Sequence, residues 1–280
     1  GMTDLPLLSE PNLQQQLVEI GYQGKKLEEL ESLSATEKAN MLFIVQDPYT
    51  SYYDAKVVRD FVALTQKLGF EPIILPFKPN GKAMHIKGFL TRFSKTAKTQ
   101  AEFLNRVAKL NVPLVGVDPA IVLSYRDEYK EALGDSRGDF HVLTVHEWLT
   151  NQLESNALQS AVKNIAKSDR TFKWHLFPHC TESTFMPNSP KEWQHIFAQF
   201  GQTLKVEKVG CCGMAGVFGH EVQNQTMSKD IYNVSWGKKL QGKDPNYCLA
   251  TGYSCRSQVK RYEKAILKHP VQALLEVLNN

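Results

Sequence analysis

Residues 172–181 read Phe172-Lys173-Trp174-His175-Leu176-Phe177-Pro178-His179-Cys180-Thr181. The run 172–177 has the length and residue types of a strand and stops at a proline, and a cysteine follows directly. The same order recurs downstream. A helix is expected over 190–200, a strand over 204–209, a helix after Gly213, a strand over 247–250, a helix over 256–269 and a last helix from Val271. Strands separated by helices favour parallel βαβ units over hairpins.

Upstream of this region the plan has been written once before. Met41–Val45 reads as a strand, 53–68 as a helix, 72–75 as a strand, 86–110 as a helix, 112–117 as a strand and 119–133 as a helix; 141–145 leads into a helix from His146. Adding 132 to Pro48, Pro79, Asn80 and Gly81 gives Cys180, Cys211, Cys212 and Gly213, and adding 134 to Asp118 and Ile121 gives Gly252 and Cys255. Matching offsets at three separated turns point to an internal duplication. The expected fold is α/β: two pseudo-symmetric Rossmann-like halves with parallel sheets. Residues 41–156 form a degenerate copy without cysteines, and 171–280 form the copy that carries them. Residues 1–40, with Leu13, Leu17 and Ile20 at helical spacing, are expected to be an N-terminal helical arm, and the polar segment 157–170 a link between halves.

Composition limits the function. Of 280 residues 42% are hydrophobic and 22% charged, which is ordinary globular composition and excludes a disordered chain. The net charge of +4 comes from 33 basic and 29 acidic residues of interspersed sign, so no basic stripe with interleaved aromatics supports nucleic-acid binding. The longest apolar runs are of strand length, too short to span a bilayer, and no signal peptide is read. All five cysteines fall between Cys180 and Cys255, an odd number crowded into one region. That is a poor disulfide framework and points to a reducing, cytoplasmic compartment with thiolate ligands.

Cys180, the pair Cys211-Cys212 and Cys255 each follow an expected strand. In a parallel sheet the carboxyl ends of the strands share one edge, where ligands bind, so three strand ends bring four thiols together. Soft thiolates select iron–sulfur clusters, zinc or copper(I). Adjacent cysteines are unusual for structural zinc, which takes a C-x₂₋₄-C knuckle, whereas neighbouring sulfurs reach different irons of a cluster. The glycines at 210, 213, 216 and 219 permit close backbone approach, and N–H groups at a helix start after Gly213 would offset negative charge. Cys248, matching Leu114 inside a strand, reads as a small buried hydrophobe. No C-x-x-C supports a thioredoxin-like site, and neither ferredoxin spacing occurs.

A lone cysteine, Cys-Cys-Gly some tens of residues on, and a terminal cysteine resemble the cysteine-rich CCG domain. That family includes iron–sulfur subunits of glycolate oxidase, anaerobic glycerol-3-phosphate dehydrogenase, lactate-utilisation proteins and heterodisulfide reductase. The resemblance covers residues 41–270 and is most specific at 210–219 and 250–258. With Val45-Gln46-Asp47-Pro48 and Val117-Asp118-Pro119-Ala120, the sequence is similar to the C-terminal region of large bacterial FAD-linked dehydrogenases acting on D-2-hydroxyglutarate or D-lactate. The resemblance implies a 4Fe-4S cluster held by Cys180, Cys211, Cys212 and Cys255. It also implies FAD only in an N-terminal portion outside this chain, flavin and ferredoxin-like portions of the same polypeptide as partners, and a quinone or redox protein as electron acceptor, with membrane association only through partners. Where the family ends in Cys-x-x-Cys, this chain has Gly252-Tyr253-Ser254-Cys255. A five-cysteine non-cubane site therefore lacks a ligand, while four cysteines suffice for a cubane. Proline and isoleucine in the first copy cannot ligate metal.

His179, Gly213 and Arg256 are the expected supporting residues: His179 as a fifth ligand, acid or hydrogen-bond donor, Arg256 to neutralise an anionic cluster or bind a carboxylate. His220 and Glu221 are placed on a helix after the Cys-Cys-Gly turn, facing either the pocket or solvent. His146-Glu147-Trp148 lacks the second histidine of a zincin motif, no G-x-G-x-x-G or phosphate-binding loop occurs, and Asp127-Glu128 reads as a solvated helix face. Two rival readings remain: a zinc-binding structural or interaction module using the same thiols, and a catalytic site acting on a disulfide or a small acid.

Overall fold

The structure is a computed structural model that describes residues 1–155, 158 and 172–279. Apart from Leu158, the expected linker 157–170 lies outside the described residues. The chain divides into two compact units, Ser9–Trp148 and Gly1–Leu8 with Leu149–Asn280. The stretch 1–40 is thereby shared between them. Leu13 and Leu17 of the helix Leu13–Glu19, started by an Asn12/Gln15 capping box, are buried within the first unit. Met2 bridges Glu221, and the Thr3 N–H donates to the His220 carbonyl at 2.7 Å, within the second.

In the first unit β1 (Met41–Val45), β2 (Glu71–Ile74), β3 (Leu114–Gly116) and β4 (Val142–Thr144) form a parallel sheet of order β2-β1-β3-β4. All five residues of β1 are buried, as expected where helices cover both faces of a parallel sheet. The helix Ala55–Lys67 buries Val58, Phe61, Val62 and Thr65, one stripe at helical spacing, and Phe61 and Phe70 pack edge-on against Trp148. The helix expected over 86–110 starts later, as Leu90–Ala108, because Gly88 at φ +75° separates it from the short helix Lys82–Ile86. Similarly the helix expected over 119–133 breaks at Asp127 into Pro119–Arg126 and Glu128–Leu133.

The second unit repeats the plan with β5 (Lys173–Phe177), β6 (Thr203–Val206) and β7 (Cys248–Ala250), parallel and in the order β6-β5-β7. The place of β4 is kept by one parallel bridge, Leu249 to Lys268, ahead of the helix Pro270–Asn279. Strand register carries the duplication. Met41 pairs with Glu71 as Lys173 pairs with Thr203, and Val45 pairs with Gly116 as Phe177 pairs with Ala250. The shifts between these pairs are the ones that relate the turns. Gly81 and Gly213, matched in the same way, both have left-handed backbones at φ +78° and +84°. Among the described residues no helix is long and apolar enough to cross a membrane.

One expected element is absent. No helix follows Gly213 directly, since Gly213, Ala215 (φ +39°) and Gly216 (φ +68°) interrupt right-handed geometry. The chain runs through short 3₁₀ turns instead, Phe218–His220 and Val222–Asn224, and the helix begins at Gln225.

In the first unit the positions matching the four thiols do packing and capping work. Ile121 joins the apolar core, the Asn80 side-chain oxygen accepts the Lys82 N–H at 2.9 Å, and the Asn80 carbonyl accepts the Tyr129 hydroxyl at 2.7 Å. Beside them lie two buried acids. Asp47 accepts the backbone N–H groups of Tyr49 and Thr50 and the Thr50 hydroxyl, and Asp118 caps Pro119–Arg126. Burial, then the Asp118 carboxylate, hold the Asp47 carboxyl up at about 7. The folded chain therefore keeps a proton that the unfolded chain loses near pH 4. The resulting stability is present below about pH 4 and is lost as pH rises to about 7. Denaturant titrations from pH 4.5 to 7.5 should show stability falling with pH in the wild type, and Asp47→Asn should flatten that slope while keeping its acceptor oxygen. An unchanged slope in the variant would assign the proton elsewhere.

Candidate metal centre

Three strand ends supply the thiols. After β5, Pro178-His179 turns the chain, and His179 caps the helix Cys180–Phe185 by accepting the Thr181 N–H on Nδ1 at 3.2 Å. Beyond β6 the loop 207–212 is tied by Gly210, whose N–H donates to Ser235 Oγ at 2.8 Å and whose carbonyl accepts the Trp236 indole N–H at 3.0 Å. Gly213 turns the chain sharply after the cysteine pair; a Cβ there would sit 2.3 Å from the Ser228 carbonyl oxygen. After β7, Thr251 and Gly252 lead into the helix Tyr253–Glu263, which carries Cys255.

The structure brings the four expected thiols together. Cys180 neighbours Cys211, Cys211 neighbours Cys212, and Cys212 neighbours Cys255, a continuous line of thiols from all three strand ends. The Gly213 N–H donates to Cys211 Sγ at 3.3 Å. Cys212 and Cys255 are buried with Phe177, Met214, Tyr232, Trp236 and Val259, whereas Cys180 and Cys211 are half-buried. The neighbouring thiols of Cys180 and Cys212, with the Gly213 N–H, hold Cys211 well below the usual thiol range. Cys180 and Cys212 are pushed up, first by the Cys211 sulfur beside them, for Cys212 next by Cys255, and then by burial. Negative charge thus concentrates on Cys211, which lies beside two thiols and accepts the Gly213 N–H. Cys248 is fully buried in β7 opposite His175, and burial pushes its thiol up to about 11. Among the described residues no group of three or more His, Cys, Asp or Glu side chains is arranged to hold a metal ion.

The supporting residues are placed as follows. The His179 ring lies against Gly252, where a Cβ would come within 2.3 Å of its Cδ2, and its Nε2 is 3.2 Å from Ser254 Oγ. Arg256 is buried, and its Nη1 donates to the carbonyls of Ala250 at 2.9 Å and Thr251 at 3.0 Å, so this nitrogen braces the end of β7. Gly213 contributes its N–H from a left-handed turn and not from a helix start, which corrects the expected helix-terminus charge. Nor do His220 and Glu221 lie on a helix there. His220 Nδ1 is 3.3 Å from the Thr3 carbonyl, and Glu221 accepts from Asn224.

Several residues passed over in the sequence join the three turns. Gln258, one turn beyond Cys255, donates to Ser228 Oγ at 2.8 Å, and Ser228 donates to the Gly213 carbonyl at 2.8 Å. Buried Glu182, two residues after Cys180, accepts the hydroxyls of Ser189 and Thr251 and the Trp193 indole N–H. The signal available was the duplication itself: at the matching positions of the first copy stand Thr50, Val117 and Ser124 in place of Glu182, Thr251 and Gln258.

No family model matches the chain. It is 82% identical over 278 residues to the D-2-hydroxyglutarate dehydrogenase of Haemophilus influenzae, covering 99% of this chain and 27% of that protein. To the D-2-hydroxyglutarate dehydrogenase of Escherichia coli it is 57% identical over 278 residues, covering 99% and 26%. A more distant likeness, 21% identity over 236 residues, links it to one of the subunits of the anaerobic glycerol-3-phosphate dehydrogenase of Escherichia coli, with 82% of this chain and 57% of that protein covered. The chain thus spans about a quarter of the length of the D-2-hydroxyglutarate dehydrogenases it resembles so closely.

Proposed function

We propose that this chain is the iron–sulfur, electron-carrying portion of an FAD-linked D-2-hydroxyglutarate dehydrogenase, belongs to the CCG type, and stands C-terminal to the flavin portion. The observation that carries the reading is the unbroken line of four thiols drawn from three strand ends. The high identity to dehydrogenases several times its length supports the placement.

The donor set fits a polynuclear cluster. Soft thiolates select iron–sulfur clusters or zinc, and a vicinal pair such as Cys211-Cys212 suits neighbouring irons better than the C-x₂₋₄-C knuckle of structural zinc. Cys180, Cys211, Cys212 and Cys255 would hold a 4Fe-4S cluster, which supplies one-electron carriage between the flavin and a quinone or redox-protein acceptor. The chain's own residues do the rest. Phe177, Trp236 and Val259 exclude water behind Cys212 and Cys255, and the Gly213 N–H stabilises charge on the Cys211 sulfur. Half-buried Cys180 and Cys211 leave one edge accessible for electron exchange.

Anaerobic reconstitution with iron and sulfide should give a visible charge-transfer band and about four irons and four sulfides per chain. Cys211→Ser and Cys212→Ser should each lose most of the band, and Cys248→Ser should keep it. Stoichiometric zinc without sulfide would replace this reading by a structural zinc module. Turnover of a small acid or disulfide by the 280-residue chain with an artificial donor would replace it by a catalytic one.

Gly252→Ala places a methyl against the His179 ring and should cost about 1–3 kcal/mol of folding stability by overpacking. The same variant should also lower cluster yield, because the turn it strains leads directly to Cys255. Full yield with wild-type stability would show that the ring moves aside freely.

A further inference from the structure

The four thiols sit on turns that sheet pairing alone does not hold. β5 pairs with β7 as far as Phe177 and Ala250, and both chains then leave the sheet before reaching Cys180 and Cys255. A buried polar latch spans that gap. The Thr251 hydroxyl accepts the His179 backbone N–H at 2.9 Å and donates to the Glu182 carboxylate. His179 precedes Cys180, Glu182 stands two places after it, and Thr251 stands four places before Cys255. Glu182 and Thr251 are 1% and 2% exposed, so solvent does not compete for these bonds. Ser189 and Trp193 fix the far oxygen of Glu182, and the Thr184 hydroxyl donates to the Cys180 carbonyl at 2.9 Å. On the opposite side Arg256 holds the carbonyls of Ala250 and Thr251.

The cysteine-free copy serves as an internal control. Its backbone keeps the same register, yet Glu182, Thr251 and Arg256 are matched there by Thr50, Val117 and Val122. Thr50 turns its hydroxyl onto Asp47 within its own strand end, and Val117 and Val122 are apolar. The latch is therefore absent from the copy without thiols and present in the copy that has them.

We propose that Glu182 and Thr251 are positioning residues that set the separation of Cys180 from Cys211 and Cys255. The assignment rests on the electron-carrier reading for its purpose, but not for its geometry. Losing the Thr251 hydroxyl frees the turn at His179 and lets Cys180 drift, so a bound cluster is exposed at that corner.

The test compares Thr251→Val, Thr251→Ala and Thr251→Ser in the full 280-residue chain. After anaerobic loading with iron and sulfide, loss of the cluster to a chelator should be at least about tenfold faster in the Val and Ala variants than in wild type, with altered electron paramagnetic resonance of the reduced form. The Ser variant, which keeps the hydroxyl, should match wild type. In the metal-free chain, diamide takes two electrons and two protons from a thiol pair to form a disulfide. Formation of the Cys180–Cys211 disulfide, mapped by mass spectrometry, should slow in the Val and Ala variants only. Equal behaviour of Val, Ala and Ser in both measurements overturns the proposal. Failure of both Val and Ala to fold while Ser folds also overturns it, by making the hydroxyl a folding requirement. If wild type takes up no iron and sulfide but the disulfide still slows, the electron-carrier reading falls and the latch stands.

Discussion

Parallel strand pairing is the constraint on which everything else depends. Because β5 pairs with both β6 and β7 in the same direction, their carboxyl ends emerge on one edge, and side chains far apart in sequence become neighbours. An antiparallel arrangement would send one of the three turns to the opposite edge and separate its cysteine from the others. The sheet needs both faces covered, and the helices Ser189–Gln199 and Tyr253–Glu263 contribute fully buried side chains to that covering. Site and core are thus products of one topology, and the residues filling the space behind Cys212 and Cys255 are core residues of the unit.

Much of this was legible because strand texture and cysteine spacing are local or simply periodic signals. Every strand appears where apolar runs placed it, and the offsets read from turns reappear in the strand register. What escaped was backbone handedness and side-chain reach. The helix expected after Gly213 fails because an alanine, Ala215, adopts φ +39°, which composition does not reveal. The helix break at Gly88 follows the same logic with a residue that advertises it. Glu182 and Gln258 escaped for another reason. A glutamate in the first turn of a helix is an ordinary solvated residue by position, and only tertiary burial converts it into a partner for Thr251.

Four thiols in contact create an electrostatic problem in the unloaded chain. Several thiolates in partly buried surroundings repel one another, so one charge is favoured, and the protons remaining on its neighbours are drawn into bonds that stabilise it. Cys211 and Cys212 each have a neighbouring thiol on both sides and a backbone N–H directed at the sulfur, from Gly213 and Met214 respectively, and the charge settles on Cys211. Its half-buried position lowers the cost of the charge further, whereas fully buried Cys212 is favoured as the donor. The contrast between Cys211 and its neighbours Cys180 and Cys212 follows from burial and neighbours rather than from any property of the cysteines themselves.

The two copies show how one backbone supports two chemistries. At the matched strand ends the first copy holds Asp47 and Asp118, each occupied with backbone N–H groups, and the second holds His179 and Gly252 in contact. Glycine at 252 is required because the imidazole occupies the space a side chain would take. The imidazole in turn stays there because Ser254 and the Thr181 N–H engage both its nitrogens. In the first copy an aspartate at the matching position serves as a helix cap, with no ring to accommodate. Introducing cysteines alone into the first copy would therefore not rebuild the site. The polar residues that orient the turns would have to change with them, since the sheet fixes where each turn begins and the side chains beyond it fix where each turn ends.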